Sequence, residues 1–523
     1  MTIDPRLRIM GAGCGGTIAP QLLRALDETR VVIRAGSDMT GAATTALAAF
    51  VALTARLFGD VAFESRVTLT KNWWDSPDTT ELLAALRAVR PRSGAATSRE
   101  IVVTFGDQVR AGDFGVGGDD YAVRVGRDLQ PLGPNLSHAL GVHAASCLAV
   151  SQLVLEVLGP LGFPGVRLES SYVMNLIDYR LAEPPDIRTV LTSGVRPLQL
   201  AFAGVGSVGT SGLALLAIAL APNLAMSSGV LPTTVFVIDD DAIDGGRNPF
   251  RYPALLGGES GKKAEFFAAR LTDLGLPATA VPHTVAEWVR DRDAPGFDGL
   301  LVSSVDTLSG RLDVADVLAR STLSIGVSGL ALHAQREAFG DGFACPFCDY
   351  VSADPPLTQA GVYAQTTGLA VERVLALLQD GARLIEADVD VAISAGKLAA
   401  DRRTALIGAP LTDLVRQAYA EVEVSGAGDH AVADDVVAVA APQVSWFAGV
   451  LAAVEIVKQL AGLPAVDRRV DVDLSGLPPG LVRRVPRDRT GRCLCCSGVR
   501  VRWYRKLYGD HTTTDADVPA GVS

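Results

Sequence analysis

Apolar residues recur along this chain in two alternating rhythms. Short β-type runs, Arg30–Arg34 and Ile101–Phe105, read as buried strands. The stretches Thr44–Phe58 and Ser137–Leu158 carry apolar residues three and four apart, the period of a helix face. The rhythm restarts near Arg196. Leu198–Ala203, Thr233–Ile238, Gly299–Ser303 and Leu323–Val327 read as strands, with helices expected over Ser211–Leu220 and Lys262–Leu274. One helix is expected over Gly361–Gln379 and another over Val444–Leu460, followed by a strand at Val470–Leu474. Strands that alternate with helices predict an α/β fold with parallel sheet.

Pro197–Ile238 has no charged residue and is long enough to cross a membrane. Gly204, Gly206, Gly209, Pro222 and Pro232 divide it instead into strand, loop, helix, loop and strand, as expected of a parallel unit covered on both faces. The N-terminus shows no secretory pattern, so a cytoplasmic chain with no membrane span is expected. The 523 residues are 48% hydrophobic and 20% charged, a globular composition with room for several domains. A net charge of -11 disfavours nucleic acid as a partner, because no basic excess is available to displace phosphate counterions.

Candidate chemistry begins at Gly204-Val205-Gly206-Ser207-Val208-Gly209, between a strand and a helix. Such a turn brings backbone close to phosphate and aims a helix N-terminus at it. Asp239 stands at the end of the next strand, where a carboxylate can hold ribose hydroxyls; this suits NAD and ATP alike. Asn248, Arg251 and Lys263 follow. Cations there suit a triphosphate attacked at its α-phosphate, where charge is neutralised as pyrophosphate departs. Asp306, past the strand Gly299–Ser303, is placed to hold Mg²⁺, or else to cap the next helix.

Seven cysteines complete the inventory. Cys345-x-x-Cys348 and Cys493-x-x-Cys496 have the composition of a closed structural Zn²⁺ site, with Cys495 as a spare thiol. Cys14 and Cys147 read as small buried thiols, and the six histidines form no paired ligand pattern.

Taken in order, the Gly turn, Asp239-x-Asp241, Asn248-x-x-Arg251, Lys263, Asp306 with Arg311 five residues on, and the two Cys pairs resemble the ubiquitin-activating-enzyme-like adenylyltransferases, the ThiF and MoeB group. The match runs from about Leu198 to Cys348 and resumes at Pro442–Gly462, about half of the chain. The resemblance implies a Rossmann-like adenylation domain with a structural zinc site, using ATP and Mg²⁺. Gly204, Gly206 and Gly209 would line the phosphates and Asp239 would hold the ribose. Asn248, Arg251 and Lys263 would bind the triphosphate, Asp306 the metal, and Arg311 would support the site. Lys262 and Lys263 are adjacent, and both are open as the functional lysine.

The substrate implied is the C-terminal carboxylate, often a glycine, of a ubiquitin-like protein or ribosomal peptide, converted to an acyl-adenylate. Many relatives pass the acyl group to a cysteine between the first Cys pair and the closing helix. Residues 349–492 contain none, so the acyl group would stay on the adenylate or move to a thiol elsewhere, on a sulfur-transfer or conjugating partner or on Cys14 or Cys147.

Residues 1–190 resemble the family faintly, through Gly11–Gly16 and a segment from Leu132 to Cys147, and are expected to form a degenerate, inactive α/β domain. The active domain is expected at 191–349 and 435–500, an insert at 350–434, and a partly disordered tail at 501–523. Such domains work in pairs, here within one chain or in a homodimer, with Arg6 or Arg8 placed to reach across to the phosphates. Two other functions fit part of the pattern. An NAD(P)-dependent oxidoreductase explains the Gly turn and Asp239 only. An inactive binding scaffold of the same fold requires none of the cations.

Overall fold

The structure is a computed structural model. It describes residues 6, 19–91, 93–107, 110, 113–128, 130–134, 136–163, 165–185, 199–226, 234–245, 248–292, 295–339, 344–348, 359–379, 382–415, 417–418, 440–476, 481–488, 493 and 499–509. These fall into two compact units, one of residues 22–349 with 440–523, the other of 1–21 with 350–439.

The larger unit contains two sheets. The first follows helix α1 (Ala19–Asp27) and holds β1 (Thr29–Ala35), β2 (Asp60–Phe63), β3 (Arg99–Phe105), β4 (Phe114–Gly118), β5 (Ala122–Gly126) and β6 (Tyr172–Asn175). Their order is β2-β1-β3-β4-β5-β6, with β1 to β4 parallel and the last two antiparallel. Helix α2 (Gly41–Leu57) follows β1, α3 (Thr79–Val89) follows β2, and α4 (Leu140–Leu158) joins β5 to β6.

The second sheet holds β7 (Gln199–Ala203), β8 (Val235–Ile238), β9 (Ala278–Val281), β10 (Phe297–Ser303), β11 (Ala319–Ser328), β12 (Ala331–Glu337), β13 (Arg469–Asp473) and β14 (Leu481–Arg483). Its order is β14-β13-β12-β11-β10-β7-β8-β9, with β7 to β11 parallel and β12 to β14 antiparallel. Its helices are α5 (Ser207–Met226), α6 (Asn248–Arg251), α7 (Lys263–Asp273), α8 (Val285–Arg290) and α9 (Leu308–Asp316).

Without β9 and β14, the second sheet has the order and strand directions of the first. The helices agree too: α14 (Pro442–Ala461) joins β12 to β13 as α4 joins β5 to β6. Residues 22–185 and the second sheet thus lie in one compact unit rather than two, because α4 packs on α14 and α2 on α4.

The smaller unit is helical among its described residues: α10 (Gln359–Thr367), α11 (Val371–Gln379), α12 (Glu386–Ser394) and α13 (Arg403–Leu406). Val374, Leu377, Leu384, Val389, Ala392 and Leu414 form its core. The single helix expected over Gly361–Gln379 is two helices. Gly368, at φ +75°, takes the left-handed conformation that ends a helix at little cost only for glycine.

One further expectation is corrected. The helix after the Gly turn continues past Pro222 to Met226; burial of Leu213 to Leu220 outweighs the one backbone bond that proline removes. The tail begins as helix α15 (Val499–Tyr508), fastened by Tyr504 Oη to the Arg320 carbonyl at 2.6 Å and by Tyr508 Oη to the Leu318 carbonyl at 2.9 Å. Among the described residues, two helical stretches, Leu140–Leu161 and Pro442–Ala461, are long and apolar enough to cross a membrane, but 72% and 89% of an 18-residue apolar window in each are buried within the protein. Burial among packed helices and the sheets accounts for their apolar character.

Candidate active site

Strand order reverses at β7, whose neighbours β8 and β10 lead in opposite directions along the sheet. Ligands of open α/β sheets bind at the carboxyl ends of strands flanking such a switch point. The Gly turn leaves β7 there, Asp239 ends β8, and Ser304 to Asp306 leave β10.

The three glycines answer to different constraints. Gly204 has φ +81°, and its N–H donates to the Ile238 carbonyl at 3.0 Å. A Cβ at Gly209 would lie 2.3 Å from the Gly204 carbonyl oxygen, so the turn closes only with glycine there. At Gly206 the nearest atom to an added Cβ is the Tyr252 hydroxyl, 3.9 Å away. The protein's own packing does not require a glycine at 206; close approach of a phosphate to the backbone would.

Asp239 is held in the same turn. Its carboxylate accepts the Val205 N–H at 2.5 Å and the Asp241 N–H at 3.0 Å. Burial raises its pKa against the opposing pull of Lys263 and these N–H groups. Lys263, 5% exposed, places Nζ 2.7 Å from Asp241 Oδ2 and 3.6 Å from Asp239 Oδ1. Burial pulls the Lys263 pKa down, but Tyr252, Asp239 and Asp241 together hold it above its ordinary value. Lys262 is exposed and turns its ammonium to the Asp240 carbonyl. The geometry thus separates the two lysines, and Lys263 is the one buried against the carboxylates.

Arg251 ends α6, and its carbonyl accepts the Ser207 hydroxyl of the Gly turn at 2.7 Å, which fixes that loop against the turn. Asn248 starts the same helix. Asp306 is exposed and does not cap α9; Thr307 does, accepting the Gly310 N–H at 3.1 Å. Asp306 makes no hydrogen bond or ion pair with a described residue. Arg311 lies one turn into α9, and its charge helps lower the pKa of His333, which burial chiefly depresses to about 4.

Sequence reasoning missed the residues that hold the Arg251 loop. Arg56 of α2, 1% exposed, donates to the carbonyls of Pro249 at 3.1 Å, Tyr252 at 3.4 Å and Leu255. Trp74 Nε1 donates to Pro253 at 3.0 Å and Trp73 Nε1 to Ala254 at 2.8 Å. The first sheet's half of the unit therefore grips the loop carrying Arg251. No local motif marks these residues, which lie 179 to 199 positions from their partners.

Gly11–Gly16, Cys14 and Arg8 lie outside the described residues, and Arg6, which belongs to the smaller unit, is buried. The turn that follows β1 is Gly36–Gly41. It spans six residues with glycine at both ends, as Gly204–Gly209 does, but Asp38 stands where the second sheet has Gly206. Asp38 accepts the N–H groups of Asp107 at 2.9 Å and Leu132 at 3.0 Å, and Asp107 accepts that of Ser37 at 2.8 Å. The protein's own carboxylates close this turn.

Cys345, Cys348 and Cys493 converge, their Sγ atoms 3.5, 3.7 and 3.7 Å apart. Thiolates around a tetrahedral zinc with bonds of about 2.3 Å would be about 3.8 Å apart. Backbone N–H groups of Cys345, Phe347 and Asp488 point at these sulfurs within 3.5 Å, a second layer of donors that favours thiolate. Cys495 and Cys496 lie outside the described residues. Cys147 is fully buried in α4, and burial pushes its thiol well above the ordinary range, the opposite of an activated nucleophile.

No family model matches the chain. A curated relative, the uncharacterized protein y4jF of Sinorhizobium fredii, is 28% identical over 422 residues, 79% of this chain and 78% of its own. Among solved structures, the chain is similar to E. coli MccB at a TM-score of 0.34 and 13% identity, over 58% of this chain and 66% of that one. A structure of the microcin C7 biosynthetic enzyme MccB in complex with N-formylated MccA matches at the same score and identity, over 68% of its length.

Proposed function

We propose that this chain is an ATP-dependent adenylyltransferase that activates the C-terminal carboxylate of a ubiquitin-like protein or ribosomal peptide. The observation that carries this reading is Gly206, where an added Cβ would meet nothing closer than the Tyr252 hydroxyl at 3.9 Å, in the turn that leaves β7 between the ends of β8 and β10. A phosphate at Gly206 would meet backbone N–H groups and the α5 N-terminus. Asp239 would hold the ribose. Asp306, which no described residue engages, would take the Mg²⁺ that accompanies ATP. Asn248, Arg251 and Lys263 would neutralise the triphosphate, with Arg311 in support. A carboxylate oxygen of the substrate attacks the α-phosphorus, the bond to the bridging oxygen of the β-phosphate breaks, and pyrophosphate leaves with the electron pair.

Zinc held by Cys345, Cys348, Cys493 and Cys496 would brace the segment after β12 against the C-terminal segment. The first sheet's half would be non-catalytic, since carboxylates fill its turn, and would position the Arg251 loop. Buried Cys147 does not suit an acyl acceptor, so the adenylate would be the product released or passed to a partner's thiol.

The test is calorimetric binding of ATP·Mg²⁺ and of NAD⁺ to the full chain, followed by ATP–pyrophosphate exchange with glycine-terminated peptides. ATP binding with peptide-dependent exchange supports the proposal. Tight NAD⁺ binding without ATP binding or exchange overturns it in favour of an oxidoreductase.

A further inference from the structure

The loop that carries Arg251 also brings a tyrosine to the Gly turn. Tyr252 follows Arg251 directly, and its carbonyl accepts the Leu255 N–H at 3.0 Å and a guanidinium N–H of Arg56 at 3.4 Å. Its backbone is therefore held by the same buried arginine that holds the rest of the loop. The residue is 5% exposed. A ring that only filled this space would serve better as phenylalanine, because burying a hydroxyl costs free energy unless the hydroxyl is bonded.

The hydroxyl stands beside the glycine that the fold does not require. It is the nearest atom to a Cβ built at Gly206, 3.9 Å away. Lys263 is its other neighbour, with Nζ 5.9 Å from the ring centroid. Burial raises the Tyr252 pKa against the opposing pull of Lys263 and Arg251, so the hydroxyl keeps its proton at neutral pH.

The direction of the hydrogen bonding follows from the groups. An ammonium has donors only, so Lys263 addresses the hydroxyl oxygen and leaves the O–H proton for an acceptor. Asp239 acts on the hydroxyl through its charge, while its carboxylate accepts the N–H groups of Val205 and Asp241. A hydroxyl that accepts from a cation is polarised into a better donor.

We infer that the Tyr252 hydroxyl is a phosphate ligand of this site: its oxygen accepts from the Lys263 ammonium, and its proton is donated to the ATP phosphate oxygen that approaches Gly206. The inference rests on the nucleotide reading of the Gly204–Gly209 turn and adds to it a residue for which no motif speaks.

The test is ATP binding and pyrophosphate exchange in Tyr252→Phe, which removes one oxygen atom and keeps the packed ring. The dissociation constant and the KM for ATP should rise about tenfold or more, as loss of a hydrogen bond to a charged group does. The exchange kcat should stay within about threefold, because a hydroxyl fixed before ATP arrives holds the phosphate alike in the ground and transition states. The melting temperature should be that of the parent. Gly206→Ala disturbs the same phosphate, so the double variant should bind ATP within about threefold of the weaker single variant. Unchanged ATP affinity in Tyr252→Phe, a fall in kcat at unchanged KM, or additive effects with Gly206→Ala each overturns the inference. A parent that binds no ATP overturns the nucleotide reading itself; a parent that binds ATP no better than Tyr252→Phe overturns this assignment alone.

Discussion

The Nε of Arg56 donates a 3.1 Å hydrogen bond to the Pro249 carbonyl, 193 residues away. This places a buried guanidinium from the first sheet's half directly under the loop that carries Arg251. Burial lowers its pKa to about 9, still high enough to keep it charged at neutral pH. Arg56→Met keeps much of the volume but strips donors from three loop carbonyls. Chemical denaturation should show a loss on the order of 2–3 kcal/mol, the cost of buried acceptors left unpaired. Pyrophosphate exchange should also fall roughly 10- to 100-fold, because the loop is no longer held in place. Unchanged exchange in a folded variant would show that the first half does not position Arg251.

Lys263 and Lys262 differ in surroundings more than in sequence. Lys263→Ala, Arg251→Ala and Asp306→Ala should each lower exchange by about two orders of magnitude or more, as loss of a transition-state charge contact does. Lys262→Ala should change it less than about threefold, since its side chain is exposed and its ammonium meets a backbone carbonyl, that of Asp240. Equal effects at the two lysines would refute the assignment of Lys263.

Alanine at two of the glycines separates folding from binding. Gly209→Ala sets a methyl 2.3 Å from the Gly204 carbonyl and should lower the melting temperature sharply. Gly206→Ala meets nothing closer than 3.9 Å, so the fold should be unaffected while ATP affinity falls at least tenfold. Wild-type ATP affinity in Gly206→Ala would mean that phosphate does not approach that residue.

Much of this arrangement is legible in the sequence because its determinants are local. The Gly turn, Asp239 and Lys263 each follow a buried strand or open a helix at a spacing that strand–turn–helix geometry imposes, and Asp306 follows β10 in the same way. The Cys345-x-x-Cys348 pair is a single turn. The grip of Arg56, Trp73 and Trp74 is invisible there, because it joins residues about 180 or more positions apart through backbone carbonyls, which carry no sequence signature. Glycine density points to Gly11–Gly16 for the turn of the first half. The turn that follows β1 is Gly36–Gly41, and it is hard to recognise because Asp38 replaces the middle glycine. The break at Gly368 is hidden because apolar residues continue at helical spacing on both sides.

The thiol cluster makes a chemical prediction that does not depend on nucleotide binding. Purified protein should hold about one zinc per chain by elemental analysis. Chelation under native conditions, or Cys345→Ser, should lower the melting temperature and remove the metal, since zinc binding and folding are coupled. Protein that is metal-free and equally stable with or without chelator would identify the cluster as packed thiols.

His143 gives the fold a pH dependence of defined sign. Its Nδ1 accepts from Trp446 Nε1 at 3.4 Å, and its Nε2 lies 3.1 Å from the Thr45 hydroxyl, so it bridges α4, α14 and α2 in the neutral form. Burial, with a smaller contribution from His138, depresses its pKa from 6.5 to about 3. Between these values the unfolded chain binds a proton that the folded chain excludes, so stability rises with pH across that window and falls as pH drops through it. In a His143→Gln variant the amide can accept from Trp446 and donate to Thr45 without titrating. The variant should therefore lose less stability than the parent between about pH 6 and pH 4, measured by denaturant titration at each pH, while matching it near neutral pH. Parallel curves for the two proteins would mean that His143 takes up its proton in the folded state as readily as in the unfolded one.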